Sequence, residues 1–438
     1  KQIVQYYDAE VFVEAGRIIR QRAKSYDQLD FIERAEKIAE LFSTFKNPDK
    51  ETVLTPWRVV NLQLTKTIGG LNFFDDEFVS TTDGAVSNLH WVERNDTDKI
   101  YTDESKFLEI NTKTGLYPLH VAMSLYYQAV NKNEDIHFEA DEVYKKILKE
   151  NIFAIAKTEM AKTITERTLA GYKNFKTNVQ YIEGFVEAIK ESSNKGKEKV
   201  EETFKNVKFD VVIGNPPYQN EGAGDVGRRD EPVYNKFMDT AYEIADRVVL
   251  ITPARFLFNA GQTPKAWNKK MLEDKHLKVV YYTQDSSKVF PNTDIKGGVA
   301  VTYRSVSNNF GAIETFTHFE ELNSMLIKTF EHTRENNFSE IVFSRGEYSF
   351  TTRLFEDFPE ARNLQGKGTG AKITSASMGR MPFAFLESVN DENEYYKPLG
   401  RINNERVYRW IKREYIEKTL SLDKWNVLVP KANGSGAL

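Results

Sequence analysis

Between residues 50 and 305 short apolar runs alternate with longer amphipathic stretches, and that alternation leaves few folds open to the chain. The runs are "KFLEI" (106–110), "NIFAIA" (151–156), "NVQYIEG" (178–184), "FDVVIGN" (209–215), "DRVVLITP" (246–253), "LKVVYYTQ" (277–284) and "GGVAVTYR" (297–304). Stretches of helical periodicity separate most of them, notably 115–131, 233–246 and 265–275. Two parallel strands cannot be joined by a tight turn; they need a crossover of a dozen or more residues, usually a helix. The pattern therefore predicts an α/β fold, a mainly parallel sheet with helices on both faces. The first 48 residues hold almost no Gly or Pro and carry apolar residues at helical spacing, as in "DFIERAEKIAELFSTF", which predicts two or three helices. After residue 305 the alternation ends, and helices mix with short polar and glycine-containing loops. The expected organisation is a helical connector over 1–48, an α/β domain over 49–305 and an α+β region over 306–438. The polar run "KESSNKGKEKVEE" (190–202) is expected at the surface.

Composition narrows the function classes. The chain has no cysteine, which excludes disulfides, thiolate metal sites and a cysteine nucleophile. No metal site is expected. Hydrophobic residues at 40% and charged residues at 28% are the balance of a soluble globular protein. No apolar run approaches the length of a membrane span, so no membrane partner is expected, and the absence of cysteine fits an expected cytoplasmic location. Net charge is −4, so a nucleic-acid partner would have to meet locally concentrated positive charge. The chain begins at Lys1 and ends in "KANGSGAL", and the expectation is an internal piece of a longer polypeptide whose last domain is incomplete.

The fourth apolar run leads into "VVIGNPPYQ", where Asn215, Pro216, Pro217 and Tyr218 follow the strand directly. Two adjacent prolines cannot extend a sheet ladder. The tetrapeptide is thus a rigid loop at the C-terminal end of a strand, where open α/β sheets bind ligands. Asn215 offers an amide oxygen, the Pro216 carbonyl a second acceptor, and Tyr218 a flat ring. Two acceptors beside an aromatic plate suit a planar ring with an exocyclic amino group, such as adenine. Accepting both amino hydrogens favours a more tetrahedral nitrogen with an available lone pair, which is catalysis by positioning and electrostatics. A tight turn with Tyr218 packed on the core is the competing account.

This stretch resembles the catalytic motif of S-adenosylmethionine-dependent amino-methyltransferases, and specifically of N6-adenine DNA methyltransferases. The resemblance implies a Rossmann-like methyltransferase fold. It also implies that Asn215 and Pro216 hold the target amino group, with Pro217 stiffening the loop, while Tyr218 stacks on an adenine flipped out of the duplex. Other parts of the pattern follow in the order of the gamma arrangement. "VLTPWRVVNLQL" (53–64) resembles the segment covering the methionine end of the cofactor, with Thr55 and Pro56 matching. "FLEINTKTGLYPLH" (107–120) stands at the cofactor fingerprint, which would assign Glu109, Asn111 and Gly115 to cofactor binding together with Asn215. Here the family's earlier glycine is replaced by Lys113. The ribose-binding acid expected after the second strand is represented by Glu159, two positions beyond Lys157, and Glu183 stands near the adenine-contacting position. "SKVFPNTDIKGGVAVTYR" (287–304) resembles the segment that supplies a second aromatic wall, which makes Phe290 the partner of Tyr218 across the base.

The resemblance covers roughly residues 50 to 305, and extends more loosely to large single-chain restriction–modification enzymes. It implies double-stranded DNA as partner, and nuclease or translocase domains elsewhere in the polypeptide. Two stretches would carry the DNA contacts. "QNEGAGDVGRRDEP" (219–232) brings Arg228 and Arg229 on a glycine-rich loop. "YYKPLGRINNERVYRWIKREY" (395–415) holds six Lys/Arg against two Glu, with Arg401, Arg406, Arg409, Lys412 and Arg413 among aromatics. Helical spacing would set Arg406, Arg409 and Arg413 on one face. Two other functions compete: methylation of protein glutamine or of RNA, and a methyltransferase-shaped DNA-binding module with a decayed cofactor site.

Overall fold

All seven apolar runs pair into one sheet in the computed structural model, which describes residues 8–45, 53–74, 89–132, 139–219, 231–291, 293–333, 341–343, 346–365, 370–403 and 405–427. The strands are β1 (Phe107–Thr112), β2 (Ile152–Ala156), β3 (Asn178–Tyr181), β4 (Phe209–Gly214), β5 (Ala245–Pro253), β6 (Leu277–Thr283) and β7 (Val299–Ser305). Their order across the sheet is β3-β2-β1-β4-β5-β7-β6. Pairing is parallel from β3 to β5, and β7 runs antiparallel to both of its neighbours. The chain thus builds outward from β1 in one direction, then returns to add β4 on its other flank. This reversal falls between the C-terminal ends of β1 and β4, the place where such sheets take ligands.

Both sheet faces are covered, so the strands are apolar on both sides. On β4, Val211 and Ile213 join one core cluster while Val212 joins the other. The first cluster is closed by α1 (Phe31–Ser43), α2 (Trp57–Thr67) and α3 (Leu116–Lys132). The helix α1 starts because Asp30 caps it, accepting from the Ile32 and Glu33 amides, and Phe31 stacks on Tyr144 at 4.1 Å between ring centroids. The run 190–202 forms most of a helix, Ser193–Thr203, and is largely half-exposed or exposed. Among the described residues no helix is long and apolar enough to cross a membrane.

The chain divides into two compact units, Lys1–Asn323 and Ser324–Leu438. The N-terminal helices therefore belong to the same unit as the sheet. The second unit has its own small core around Phe350, Leu354, Met381, Phe385 and Ile411. It is α+β, with short helices and two-stranded pairings, Tyr395–Tyr396 with Ile411–Lys412 and Leu399–Ile402 with Glu405–Tyr408. The stretch 395–415 is therefore not a helix. Arg406 lies in a strand, Arg409 follows that strand, and Arg413 begins a single 3-10 turn, so they share no helical face.

One buried ion pair ties the N-terminal helices to the sheet layer. Arg34 Nε donates to Asp27 at 3.0 Å, with both side chains nearly inaccessible. Arg34 also donates to the carbonyls of Arg167 and Thr168 at the end of the helix Glu159–Ala170, and Asp27 accepts from the Tyr172 amide. Removing one partner of such a pair strands a buried charge, at a cost of about 3–5 kcal/mol. Asp27→Ala is therefore expected to lower the unfolding free energy of the first unit, measured by urea titration, by that amount; a loss below about 1 kcal/mol would show the pair to be dispensable.

Candidate active site

The crevice is built on Asn215. Registration of Glu109 with Ile213 sets the end of β1 beside the end of β4. Gly214 permits this: a Cβ there would lie 2.8 Å from the Ile110 carbonyl oxygen. Asn215 is 3% exposed. Its Nδ2 donates to Thr55 Oγ1 at 3.0 Å, and its backbone carbonyl accepts from Asn111 Nδ2 at 3.1 Å and from Lys113 Nζ at 3.5 Å. Lys113 Nζ also donates to the Val53 carbonyl at 3.1 Å. Three segments distant in sequence thus meet on one residue. With Nδ2 donating to Thr55, Oδ1 is buried with no partner among the described residues. An unmade buried acceptor costs on the order of 1–3 kcal/mol, so this oxygen is held ready for a donor.

Around it lie further groups of the same kind. Glu109 is 4% exposed and its Oε2 has no hydrogen-bond partner among the described residues. Burial pushes its carboxyl up to about 8, against the opposing influence of Thr112 and Lys113. The Tyr218 ring is half-buried, while its hydroxyl is buried with no partner among the described residues, and desolvation drives its pKa far up. Asn111 holds a left-handed φ of 71°, which turns its amide back toward Asn215. Gly115, φ 78°, serves packing: a Cβ would lie 2.9 Å from Thr165 Cγ2 on the neighbouring helix. Pro56 caps α2 at the mouth of the same segment.

The structure gathers Thr55, Asn111 and Asn215 by hydrogen bonds, with Glu109, Pro216, Pro217 and Tyr218 on the adjoining strand ends. Glu159 is the exposed first residue of its helix, and Glu183 is exposed in the turn after β3. Phe290 sits in the loop from β6 to β7, at the same end of the sheet. Ser286 pins that loop, donating to the Thr293 carbonyl and accepting from the Ile295 amide, each at 2.8 Å. The Phe290 ring is 0% exposed among Val53, Val59, Ile251 and Val301. It meets Tyr218 edge-on, with centroids 6.4 Å apart and planes at 66°. Two rings sandwiching a base stand about 7 Å apart with parallel planes. The separation is close to that value and the angle is not.

Gln63 is a positioning residue that the sequence did not single out. Fully buried on α2, it donates to the carbonyls of Gly214 at 3.2 Å and Val249 at 3.1 Å, and accepts from the Tyr117 hydroxyl at 2.6 Å. The available signal was a pair of amides, Asn61 and Gln63, inside an otherwise apolar helical stretch.

Arg228 and Arg229 lie outside the described residues. In the second unit, Arg401 and Arg406 are exposed cross-strand partners on the hairpin 399–408. Arg409 is paired with Glu387 at 2.7 Å, Lys412 with Glu414 at 3.3 Å and Arg413 with Asp423 at 3.6 Å. The positive charge of this stretch is thus partly answered within the unit.

Sheet order, antiparallel β7 and the Asn-Pro-Pro-Tyr loop after β4 define a Rossmann-like methyltransferase fold. Residues 150–290, which contain that loop, match the Eco57I restriction-modification methylase family. An uncharacterized adenine-specific methylase of Mycoplasma pneumoniae (strain ATCC 29342 / M129 / Subtype 1) is 26% identical over 189 residues, covering 42% of this chain and 43% of that protein. The chain thus spans less than half the length of the curated relative it matches. Among solved structures, the type ISP restriction-modification enzyme LlaGI, a nuclease-deletion mutant with a DNA substrate mimic, is 12% identical with a TM-score of 0.41, over 65% of this chain and 26% of that one. The M protein of the type I restriction enzyme EcoKI is 13% identical with a TM-score of 0.35, over 68% and 56%.

Burial of Glu109 has a consequence for stability. Its folded pKa lies above the unfolded value of 4.5, so the folded chain binds the extra proton between pH 4.5 and about 8. Stability is therefore expected to fall as pH rises through that window, by at most about 1.4 kcal/mol per pH unit. Glu109→Gln should remove the slope, gaining on wild type at pH 8 relative to pH 5. Equal slopes in urea titrations of the two proteins would show that Glu109 is not buried as a neutral acid.

Proposed function

We propose that this chain is the modification part of a restriction–modification enzyme, and that it moves a methyl group from S-adenosylmethionine to N6 of an adenine extruded from duplex DNA. The observation that carries the reading is the buried, unpartnered Oδ1 of Asn215 at the switch point of the sheet, aimed by the bond from Nδ2 to Thr55. An exocyclic amino group has the donors this oxygen needs. Accepting from it localises the nitrogen lone pair, and a preorganised acceptor does so at no cost of reorganisation. Tyr218 supplies a ring face for the base. Phe290 forms the wall behind it, and a sandwich between the two requires Tyr218 to turn.

The residues present fit the cofactor. The unpartnered Glu109 Oε2 is a buried acceptor for a cationic donor. We assign Thr55, Pro56 and Asn111 to the methionine end of the cofactor, with Gly115 setting the packing of the turn behind them, and Glu159 and Glu183, in the turns that follow β2 and β3, to its nucleoside. When bound, S-adenosylmethionine supplies a methyl group activated on a sulfonium. The chain's own part is to hold the amino nitrogen through Asn215, to exclude water, and to keep the loop rigid through Pro216 and Pro217.

We assign DNA contact partly to the second unit. Arg401 and Arg406 stand directly opposite each other, both exposed, on the hairpin 399–408, and two guanidinium groups side by side at the surface suit contact with phosphate. Arg228 and Arg229 complete the proposed contacts, and nuclease or translocase domains would belong to the remainder of a longer polypeptide.

Two tests follow. With labelled S-adenosylmethionine, duplex DNA should acquire label and RNA or protein pools should not. Asn215→Ala should lose about 10²–10³-fold in rate, as deletions of an oxyanion-hole donor do, with unchanged circular dichroism; normal rates in a folded variant would remove Asn215 from catalysis. Replacing Arg401 and Arg406 together with Ala should weaken DNA binding and reduce the slope of log K against log salt by nearly two units. An unchanged slope would mean that neither arginine meets phosphate.

A further inference from the structure

Lys113 is the one residue of the crevice that the methyltransferase pattern does not account for. It occupies a position in the β1 turn where a glycine would let a ligand approach the backbone. The residue is half-buried, and its ammonium turns toward backbone carbonyls of two other segments. Nζ donates to the Val53 carbonyl at 3.1 Å and lies 3.5 Å from the Asn215 carbonyl. A positive charge is therefore held beside Asn215, the residue whose side chain would bind the accepting nitrogen, and within electrostatic reach of Glu109.

That placement matters for charge. The methyl donor must present its methyl group to a nitrogen held at Asn215 Oδ1, so the donor's cationic centre has to come within several ångströms of the same residue. The product left after transfer carries a neutral thioether there. Donor and product otherwise share every contact. From this we propose that Lys113 is a specificity-determining residue. Its ammonium opposes the sulfonium of the donor but not the neutral product, and so tilts binding toward S-adenosylhomocysteine. The inference rests on the cofactor reading above.

The tilt expected from two like unit charges several ångströms apart at the rim of a protein cleft is about tenfold. The test is isothermal titration of the full chain with S-adenosylmethionine and S-adenosylhomocysteine separately, in wild type and in Lys113→Met, Lys113→Gln and Lys113→Arg. The ratio of the two dissociation constants is the readout, because a general loss of pocket shape would move both constants together. The two neutral variants should shift the ratio about tenfold toward the donor, and Lys113→Arg, which keeps the charge, should retain the wild-type ratio. If the neutral variants bind both ligands with the wild-type ratio, Lys113 does not discriminate, even where both affinities fall, as they would if the ammonium instead held the carboxylate common to donor and product. Should one neutral variant fail to fold, the other and Lys113→Arg still decide the matter. If wild type binds neither ligand, the cofactor reading itself is wrong, which is a different result from an unchanged ratio.

Discussion

The fold converges on the amide of Asn215. Its Nδ2 donates to Thr55 and its backbone carbonyl accepts from Asn111 and Lys113, while Oδ1 is buried with no partner among the described residues. Each bond reaches more than a hundred residues along the chain, so the clamp forms only when β1, β4 and the segment before α2 are all in place. A side-chain amide in solution rotates freely and points its oxygen anywhere. Here the protein has removed that freedom before any ligand arrives, which is the physical content of a preorganised acceptor.

Supporting this clamp requires polar groups in the core, and several of them on α2 and α3 are joined by hydrogen bonds. Gln63 ties the ends of β4 and β5 to α2, and Tyr117 ties α3 to Gln63. His120, fully buried, has its pKa lowered to about 3 by desolvation and stays neutral, with Nε2 3.2 Å from Asn61 Oδ1. Asn61 Oδ1 also accepts from the Phe73 amide. Such networks specify one arrangement because any slip leaves several groups unsatisfied at once. Among the described residues, buried atoms without a partner include Asn215 Oδ1, Glu109 Oε2 and Tyr218 Oη at the ligand-binding end of the sheet, and others away from it, such as Thr240 Oγ1 and Arg247 Nε.

The second unit shows where local pattern misleads. Arginines at 406, 409 and 413 match the period of a helix, yet that spacing also fits a strand followed by an irregular turn. Tyr408 and Val407 favour the extended form, and Asn403, with φ of 50°, takes the left-handed conformation that reverses the chain. Carboxylates from elsewhere in the unit, Glu387 and Asp423, then answer two of the charges. A net charge counted along the sequence cannot include partners that arrive by folding.

What the sequence by itself determined is therefore the set of strands and the loop that carries chemistry. All seven apolar runs became strands of one sheet, because period and crossover length are local properties that burial on both faces then reinforces. The Asn-Pro-Pro-Tyr loop was legible for the same reason, since two prolines end a strand in any context. Only the tertiary structure decided which atom of Asn215 faces the crevice, that Gln63 anchors the strand ends, that Phe290 lies edge-on to Tyr218, and that Lys113 reaches across to two carbonyls. These depend on hydrogen bonds between segments far apart in the chain. No local pattern encodes such bonds, because each partner's identity is compatible with many others until the sheet brings them together.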